Sequence, residues 1–309
     1  MASRDMSAWT PIIWSDQVVQ REVQASAVYD AARMMNMISN TYEIPRFTAA
    51  NVSGGSALTE DTNNGDVANL YSYQFNGKFT LDEAQVEDNP ADEVAAVTYE
   101  WLNSFHVSYD NACLGVSAAR STTVANFQPF NSVYYAVRHS DSDVGYTADD
   151  NYTSIASGGL TYDGLNTALG KAESTKFWNP VNACAILHPS MKKGIRGIKN
   201  TQGSPIFVES SAGVAGGGVQ PRYELFGLPV YWSFGAQVST NFQMTSVGNP
   251  LVIFANRRHL VRGDRIGPQA QFINANININ ALEHTVQFRA RQGFCATVPN
   301  AMSVLEVGA

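Results

Sequence analysis

Between Val94 and Ala112 the apolar residues recur every three or four positions: Val94, Val97, Trp101, Phe105, Tyr109 and Ala112. That spacing predicts one long amphipathic helix. Asn89 can cap it, Pro90 suits the first turn, and Asp92 and Glu93 match the positive end of the helix dipole. Gly115 reads as its stop. Over 89–114, at roughly 1.5 Å per residue, the rod is about 40 Å long. A second helical stripe runs through Val19, Val23, Ala27, Met34 and Ile38. It predicts a helix starting at a cap on Ser15 or Asp16, behind an open segment that holds Pro11 and two tryptophans. A third, shorter helix is expected around YDGLNTALGKAE, residues 162–173.

Elsewhere the period drops to two. Tyr71, Tyr73 and Phe75, then Phe79 and Leu81, alternate as in a half-buried strand. Asn64-Gly65 is a strong hairpin-turn signal and Asn76-Gly77 a second candidate. Residues 51–81 therefore predict a long two-stranded excursion. A lone hairpin is marginal in water, so it needs a surface to lie on. ACAILHPSMKKGIRGIK predicts a buried strand, then a short helix opened by Pro189 and basic on one side. SAGVAGGGVQP, residues 211–221, is a loop on composition. In YELFGLPVYWS, Gly227 and Pro229 mark a break between two apolar strands, with Pro229 expected at a sheet edge. NPLVIFANRRHLVRGDRIG is a strand entering a basic turn. Alternating strands close the chain from Gln269 onward. The class is α+β.

Composition turns attention to surfaces. The chain has 309 residues, of which 44% are hydrophobic and only 15% charged. The charged share is below the usual quarter. Such a chain spends surface on something other than bulk water, and subunit contacts are one use. The net charge of −7 lacks the basic field of a protein that grips nucleic acid. No apolar run approaches the roughly 20 residues that cross a bilayer, and the N-terminus lacks a signal-peptide pattern. Charge is unevenly placed. Glu60–Glu100 is acidic and holds a single Lys78, while Lys192–Lys199 and Arg257–Arg265 are basic. These stretches could complement one another across a subunit boundary or within one subunit. The candidate intersubunit contacts are Trp9, Trp14, Glu60, Asp61, Lys78, Arg257, Arg258, Arg262, Asp264 and Arg265. Both tryptophans are costly to leave in water and are expected to dock.

The search for chemistry comes back thin. The sequence has no nucleophile elbow, no HExxH and no phosphate-binding loop. Five histidines lie far apart, and His188 before Pro189 suits a structural place. A catalytic site would have to be built from distant residues such as His188 and Asp264. Cys113, Cys184 and Cys295 are scattered among apolar neighbours, which favours buried thiols over disulfides or a CxxC metal site. Arg262-Gly263-Asp264 spells an adhesion tripeptide by chance. Asp61-x-Asn63-x-Gly65 and Asp141-x-Asp143 lack the closing Glu of a calcium loop: Ser72 and Tyr152 stand there. No catalytic residue, cofactor or metal is expected.

The order of these segments resembles the major capsid proteins of tailed bacteriophages, which have the Hong Kong 97 phage fold. The signatures are ACAILHPSMKKGIRGIKNTQGSPIF, then LFGLPVYWS, then PLVIFANRRHLVRGDRIG, then the closing strands through RARQGFCATVPNAMSVLEV. The resemblance covers nearly the whole chain. It implies an N-terminal arm at 1–46 and an E-loop hairpin at 47–80. It implies a peripheral (P) domain at 81–120 plus 256–290, with 89–114 as its spine helix, and an axial (A) domain at 121–255 plus 291–309. It implies a shell protein, not an enzyme, that forms hexamers and pentamers of an icosahedral head around double-stranded DNA held by weak non-specific contact. The partners implied are further copies of itself, a separate scaffold protein, a portal protein at one vertex and, in some relatives, a decoration protein, with no membrane. The implied place is the virion, assembled in the host cytoplasm. The alternative with the same fold is an encapsulin-type nanocompartment around a cargo enzyme. Some members crosslink neighbours through an E-loop lysine. Residues 51–77 contain none and Lys78 lies at the base, so a non-covalent shell is expected.

Overall fold

The computed structural model describes residues 25–46, 66–82, 93–123, 127–156, 159–199, 224–273 and 283–308. Trp9, Trp14, Glu60, Asp61, the Asn64-Gly65 turn, the expected cap at Asn89-Pro90 and the glycine-rich stretch 211–221 lie outside them. The helices are α1 (Ala27–Ala31), α2 (Glu93–Leu114), α3 (Val133–Arg138), α4 (Tyr162–Glu173) and α5 (Met191–Gly197). The long apolar stripe thus forms the helix it predicts, and α4 and α5 fall on their expected segments.

Two sheets carry the rest. The first has the order β1 (Arg33–Asn36), β10 (Leu260–Ile273), β11 (Glu283–Ala296), β3 (Asp66–Asp82), β2 (Thr41–Arg46). The second has the order β4 (Tyr152–Ile155), β12 (Met302–Val307), β9 (Val247–Asn256), β5 (Ala183–Leu187), β7 (Leu228–Trp232), β6 (Glu224–Leu225), with β8 (Gln237–Ser239) paired to β9. The chain passes between the sheets from β9 to β10 and again from β11 to β12. The continuous apolar run of β5 is buried at every position because both faces of its sheet are covered. α4 and α5 cover one face through Leu165, Leu169 and Met191. The other face shares a core with the first sheet, where Ile186, Ile253 and Val304 join Phe75, Phe294 and the buried stripe of α2.

The structure corrects four expectations. The helix predicted to Ile38 ends at Ala31, because Ala32 is extended (φ −79°, ψ 150°). Residues 33–36 then pair in parallel with Val261–Asp264 of β10. Ladder bonds on that edge outweigh a stripe whose last members, Met34 and Ile38, end up exposed, Ile38 by 95%. Asn76-Gly77 is no turn. It lies inside β3 opposite Arg289 and Phe288. A Cβ at Gly77 would stand 2.4 Å from the Trp101 ring nitrogen, so the glycine makes room for α2. Gly115 stops α2 without a left-handed turn. A Cβ there would sit 2.0 Å from the Gln237 carbonyl oxygen, so close packing of a loop explains it. Pro229 is not at a sheet edge. β7 lies between β5 and β6, and Pro229 comes one residue before its ladder with β5 begins at Val230. Phe226 (φ 54°) and Gly227 (φ 74°) make the two-residue turn with both φ positive that twisted hairpins favour.

β1 and β2 lie at opposite edges of their sheet, so residues 37–40 cross it. They cross above a register-aligned row of small residues, Gly263, Gly293 and Ser72. A Cβ at Gly263 would meet the Met37 sulfur at 2.2 Å. The carbonyl of Asn40 accepts the Ser72 N–H at 2.8 Å. The adhesion-like tripeptide is therefore a strand segment under this strap, with Arg262 and Gly263 buried.

Two adjacent polar residues tie α2 to α1 and to the segment that follows β7. The Asp110 carboxylate is fully buried. It accepts from the Ser26 hydroxyl, the Ala27 N–H (2.8 Å), the Val28 N–H (3.3 Å) and the Ser233 hydroxyl (2.6 Å). Asn111 donates to the carbonyls of Gly235 (2.9 Å) and Gln237 (2.8 Å) and accepts from Ser239. Burial pushes the Asp110 carboxyl above its ordinary value, and the hydrogen bonds oppose that shift. Ionising it therefore costs stability. Its contribution is full below the ordinary carboxylate range and declines as pH rises through the folded pKa. Asp110→Ala strands four buried donors and is expected to cost at least about 3 kcal/mol. Urea unfolding of the unassembled chain measures it, and the deficit is expected to be largest in acid and to shrink as pH rises.

Candidate functional site

Two surface features stand out: the clamped base of the β2–β3 hairpin and the polar face of the first sheet. Arg46 ends β2 opposite Asp66, which starts β3. Its guanidinium pairs with Asp66, reaches Asp141 at 2.8 Å and Asp143 at 4.0 Å, and donates to the Thr297 carbonyl at 2.8 Å. The Arg46 side chain is only 10% exposed. An exposed ion pair contributes about 0–1 kcal/mol, but a mostly buried cation shared by several carboxylates is harder to break. Arg46 holds the Asp66 carboxyl below the usual range. The Asp141-x-Asp143 pair is thus a clamp on an arginine. Among the described residues no group of three or more His, Cys, Asp or Glu could hold a metal ion. Higher up β3, Arg120 lies 3.6 Å over the Tyr71 ring and donates to the Tyr73 hydroxyl at 3.1 Å. The Arg46–Asp66 end of the β2–β3 pair is therefore fixed to the rest of the chain.

The second feature follows from strand alternation. On β11, Val286, Phe288 and Ala290 are buried while Gln287 and Arg289 are exposed. Trp101 of α2 stacks on Phe288 with ring centroids 4.9 Å apart, which fixes the buried side. Register sets cross-strand rows on the opposite side: Gln271, Gln287 and Lys78; then Gln269, Arg289 and Asn76; then Arg291 and Gln74. These rows hold three cations and no carboxylate, in a chain of net charge −7. Arg265 and Arg291 both donate to the Asn40 side chain in the strap. Lys78 and Arg289 stand exposed.

Three of the other expected contacts, Arg257, Arg262 and Asp264, have partners inside the chain. Arg257 donates to the carbonyls of Ala31 and Asp30, each at 2.9 Å, and so closes the end of α1. Arg262 is 7% exposed and lies 3.8 Å over the Tyr29 ring. Asp264 accepts from Gln292 at 3.1 Å. Arg258 is exposed. His188 follows β5 in one sheet and Asp264 sits in β10 of the other, so the structure does not assemble the catalytic pair the sequence left open. Cys113, Cys184 and Cys295 are free, and burial pushes Cys184 and Cys295 up to about 12. Among the described residues no helix is long and apolar enough to cross a membrane. Sequence reasoning missed Arg46, Arg289 and Arg291, and weighed Asp141 only as a calcium-loop position. The alternation of Val286-Gln-Phe-Arg-Ala-Arg could have placed Arg289 and Arg291 on one face.

No family model matches this chain and no curated protein matches it. Solved structures do. The capsid of an empty GTA particle superposes with a TM-score of 0.71 at 12% identity, over 99% of this chain and 98% of that one. A chain from Mycobacterium phage Ogopogo gives 0.70 at 12% identity, over 99% and 100%. One from Microbacterium phage Oxtober96 gives 0.64 at 16% identity, over 98% and 99%. The chain has the phage capsid fold, as the order of its motifs implied.

Replacing Arg46 by Met keeps the stem and leaves the carboxylates of Asp66, Asp141 and Asp143 facing one another. Amides of β2 and of residues 66–71 are expected to exchange at least about ten-fold faster with solvent deuterium. The Asp66 carboxyl is depressed, so its contribution holds above the ordinary carboxylate range and is lost as pH falls through the folded pKa. Strong acid is expected to loosen the same amides in the unmodified chain and not in the Met variant, where it relieves the repulsion among the facing carboxylates.

Proposed function

We propose that this chain is the major capsid protein of a tailed phage and builds hexamers and pentamers of an icosahedral head around double-stranded DNA. The match along nearly its whole length to the capsid of a GTA particle computed with C5 symmetry carries the reading. The physical design supports it. The two-sheet body carries a polar face on which Lys78 and Arg289 are exposed. A shell subunit must bury surface against several neighbours at once, and a low charge content lowers the desolvation cost of doing so. A net negative chain holds packaged DNA without gripping it. A separate scaffold protein, a portal protein at one vertex and, on some heads, a decoration protein complete the proposed set of partners. The head would assemble in the host cytoplasm and stay in the virion.

The test is assembly. Expressed whole, the chain is expected to form closed particles of uniform diameter in negative stain, and boiling them in SDS with reductant is expected to release a single monomer band. Chains that stay monomeric with and without a scaffold protein would remove the shell reading. A ladder of covalent multimers would remove the non-covalent one.

A further inference from the structure

α1 is five residues long, little more than one turn. A helix that short is not stable by itself in water. Side chains from distant segments hold it at both ends. The Ser26 hydroxyl caps it by accepting the Tyr29 N–H, and Asp110 accepts the N–H groups of Ala27 and Val28. At the other end Arg257 donates to the carbonyls of Asp30 and Ala31. Ala32 is then extended, and β1 joins the edge of β10.

What lies under the middle of α1 works against those ties. The Tyr29 ring covers the Arg262 guanidinium at 3.8 Å and meets the rings of His106 and Tyr109 with centroids 5.6 Å away. Arg262 is 7% exposed, and its Nε and Nη1 have no hydrogen-bond partner among the described residues. The Tyr29 hydroxyl is buried and has none either. Asp264, two residues along β10 and on the same face, accepts from Gln292 instead. Seating α1 therefore takes three polar atoms out of water and pairs none of them. A buried donor left unpaired costs more than an ordinary hydrogen bond returns, and the cation–ring contact recovers only part of it. A methionine beneath Tyr29 would fill the same place with no orphaned donor.

We infer that α1 is a latch that releases as a unit about Ala32 while both sheets stay folded, and that Arg262 keeps the release within reach. Release gives water to Arg262, to Tyr29 and to one side of Asp110, which keeps its bond from the Ser233 hydroxyl. It stops at Ala32 because the ladder of β1 with β10 begins at Arg33, beyond the hinge. The released subunit uncovers the part of α2 around Tyr109, which is fully buried when the latch is seated. Nothing in the latch depends on the shell reading.

Hydrogen exchange of the unassembled chain tests it. The amides of Ala27, Val28, Tyr29 and Ala32 are expected to show protection at least about ten-fold lower than those of β9, through an opening that low urea hardly changes because it exposes little surface. Arg262→Met is expected to raise the protection of these four amides about ten-fold, and Tyr29→Phe, which removes only the orphaned hydroxyl, about three-fold. Amides of α1 that exchange only through global unfolding in the unmodified chain overturn the latch. Equal or lower protection of α1 in a folded Arg262→Met chain overturns the role of Arg262, since the guanidinium would then be a tie. Should Arg262→Met fail to fold, Tyr29→Phe decides: slower exchange of α1 supports the cost of the orphaned groups, and equal or faster exchange overturns it.

Discussion

The structure depends on a buried carboxylate. Asp110 sits on α2 where the two sheets meet, and its two oxygens collect four donors from α1 and from the end of β7. A charge taken out of water costs several kcal/mol, and donors arriving from two distant segments offset that cost only when both are in place. The group therefore demands a single arrangement. Asn111 extends the demand to the loop before β8. Gly115 and Gly235 let that loop approach closer than a side chain would permit, since a Cβ at Gly235 would stand 2.5 Å from the Asn111 nitrogen.

A body fixed in this way can carry projections. The apolar interior supplies most of the driving force: Phe75, Phe105, Tyr109 and Phe130 make edge and stacked ring contacts at 5.4–6.1 Å. Burying each such ring contributes about 1.5–3 kcal/mol and each good ring pair about 0.5–1.5 more. Those terms are indifferent to direction. Direction comes from the polar ties: Asp110 and Asn111 from α2 to α1 and the segment after β7, the strap over Gly263 and Gly293, and Arg46 at the β2–β3 end. What these ties hold is a long ribbon whose β10 edge is blunted and whose β3 edge beyond Tyr71 has no strand partner among the described residues. In a solitary protein the open edge would be a hazard.

Much of this was legible in the chain. α2 and α4 follow from apolar spacing, β5 from an unbroken apolar run, and the free cysteines from their surroundings. What was hidden was non-local. The stripe through Met34 and Ile38 is helical by pattern, and only the offered edge of β10 makes it a strand. Gly77 and Gly115 look like a turn and a stop, and only Trp101 and Gln237 show them to be points of close approach. Arg46 meets partners 20, 95 and 251 residues away, which no spacing rule links. Arg257, read from the sequence only as a contact candidate, also closes the end of α1, a partner 226 residues away.

The central claim is that α2 locks both sheets into one body while the ribbon's β3 edge beyond Tyr71 remains locally free in a lone subunit. Native-state hydrogen exchange of the unassembled chain in rising urea tests it most directly. Amides of residues 105–112 are expected to share one opening free energy with those of 235–239 and with β9, equal to that of global unfolding, while Gln74, Asn76 and Lys78 exchange with little protection. If the sheets opened as two units of different stability, with α2 following only one of them, the account would be contradicted.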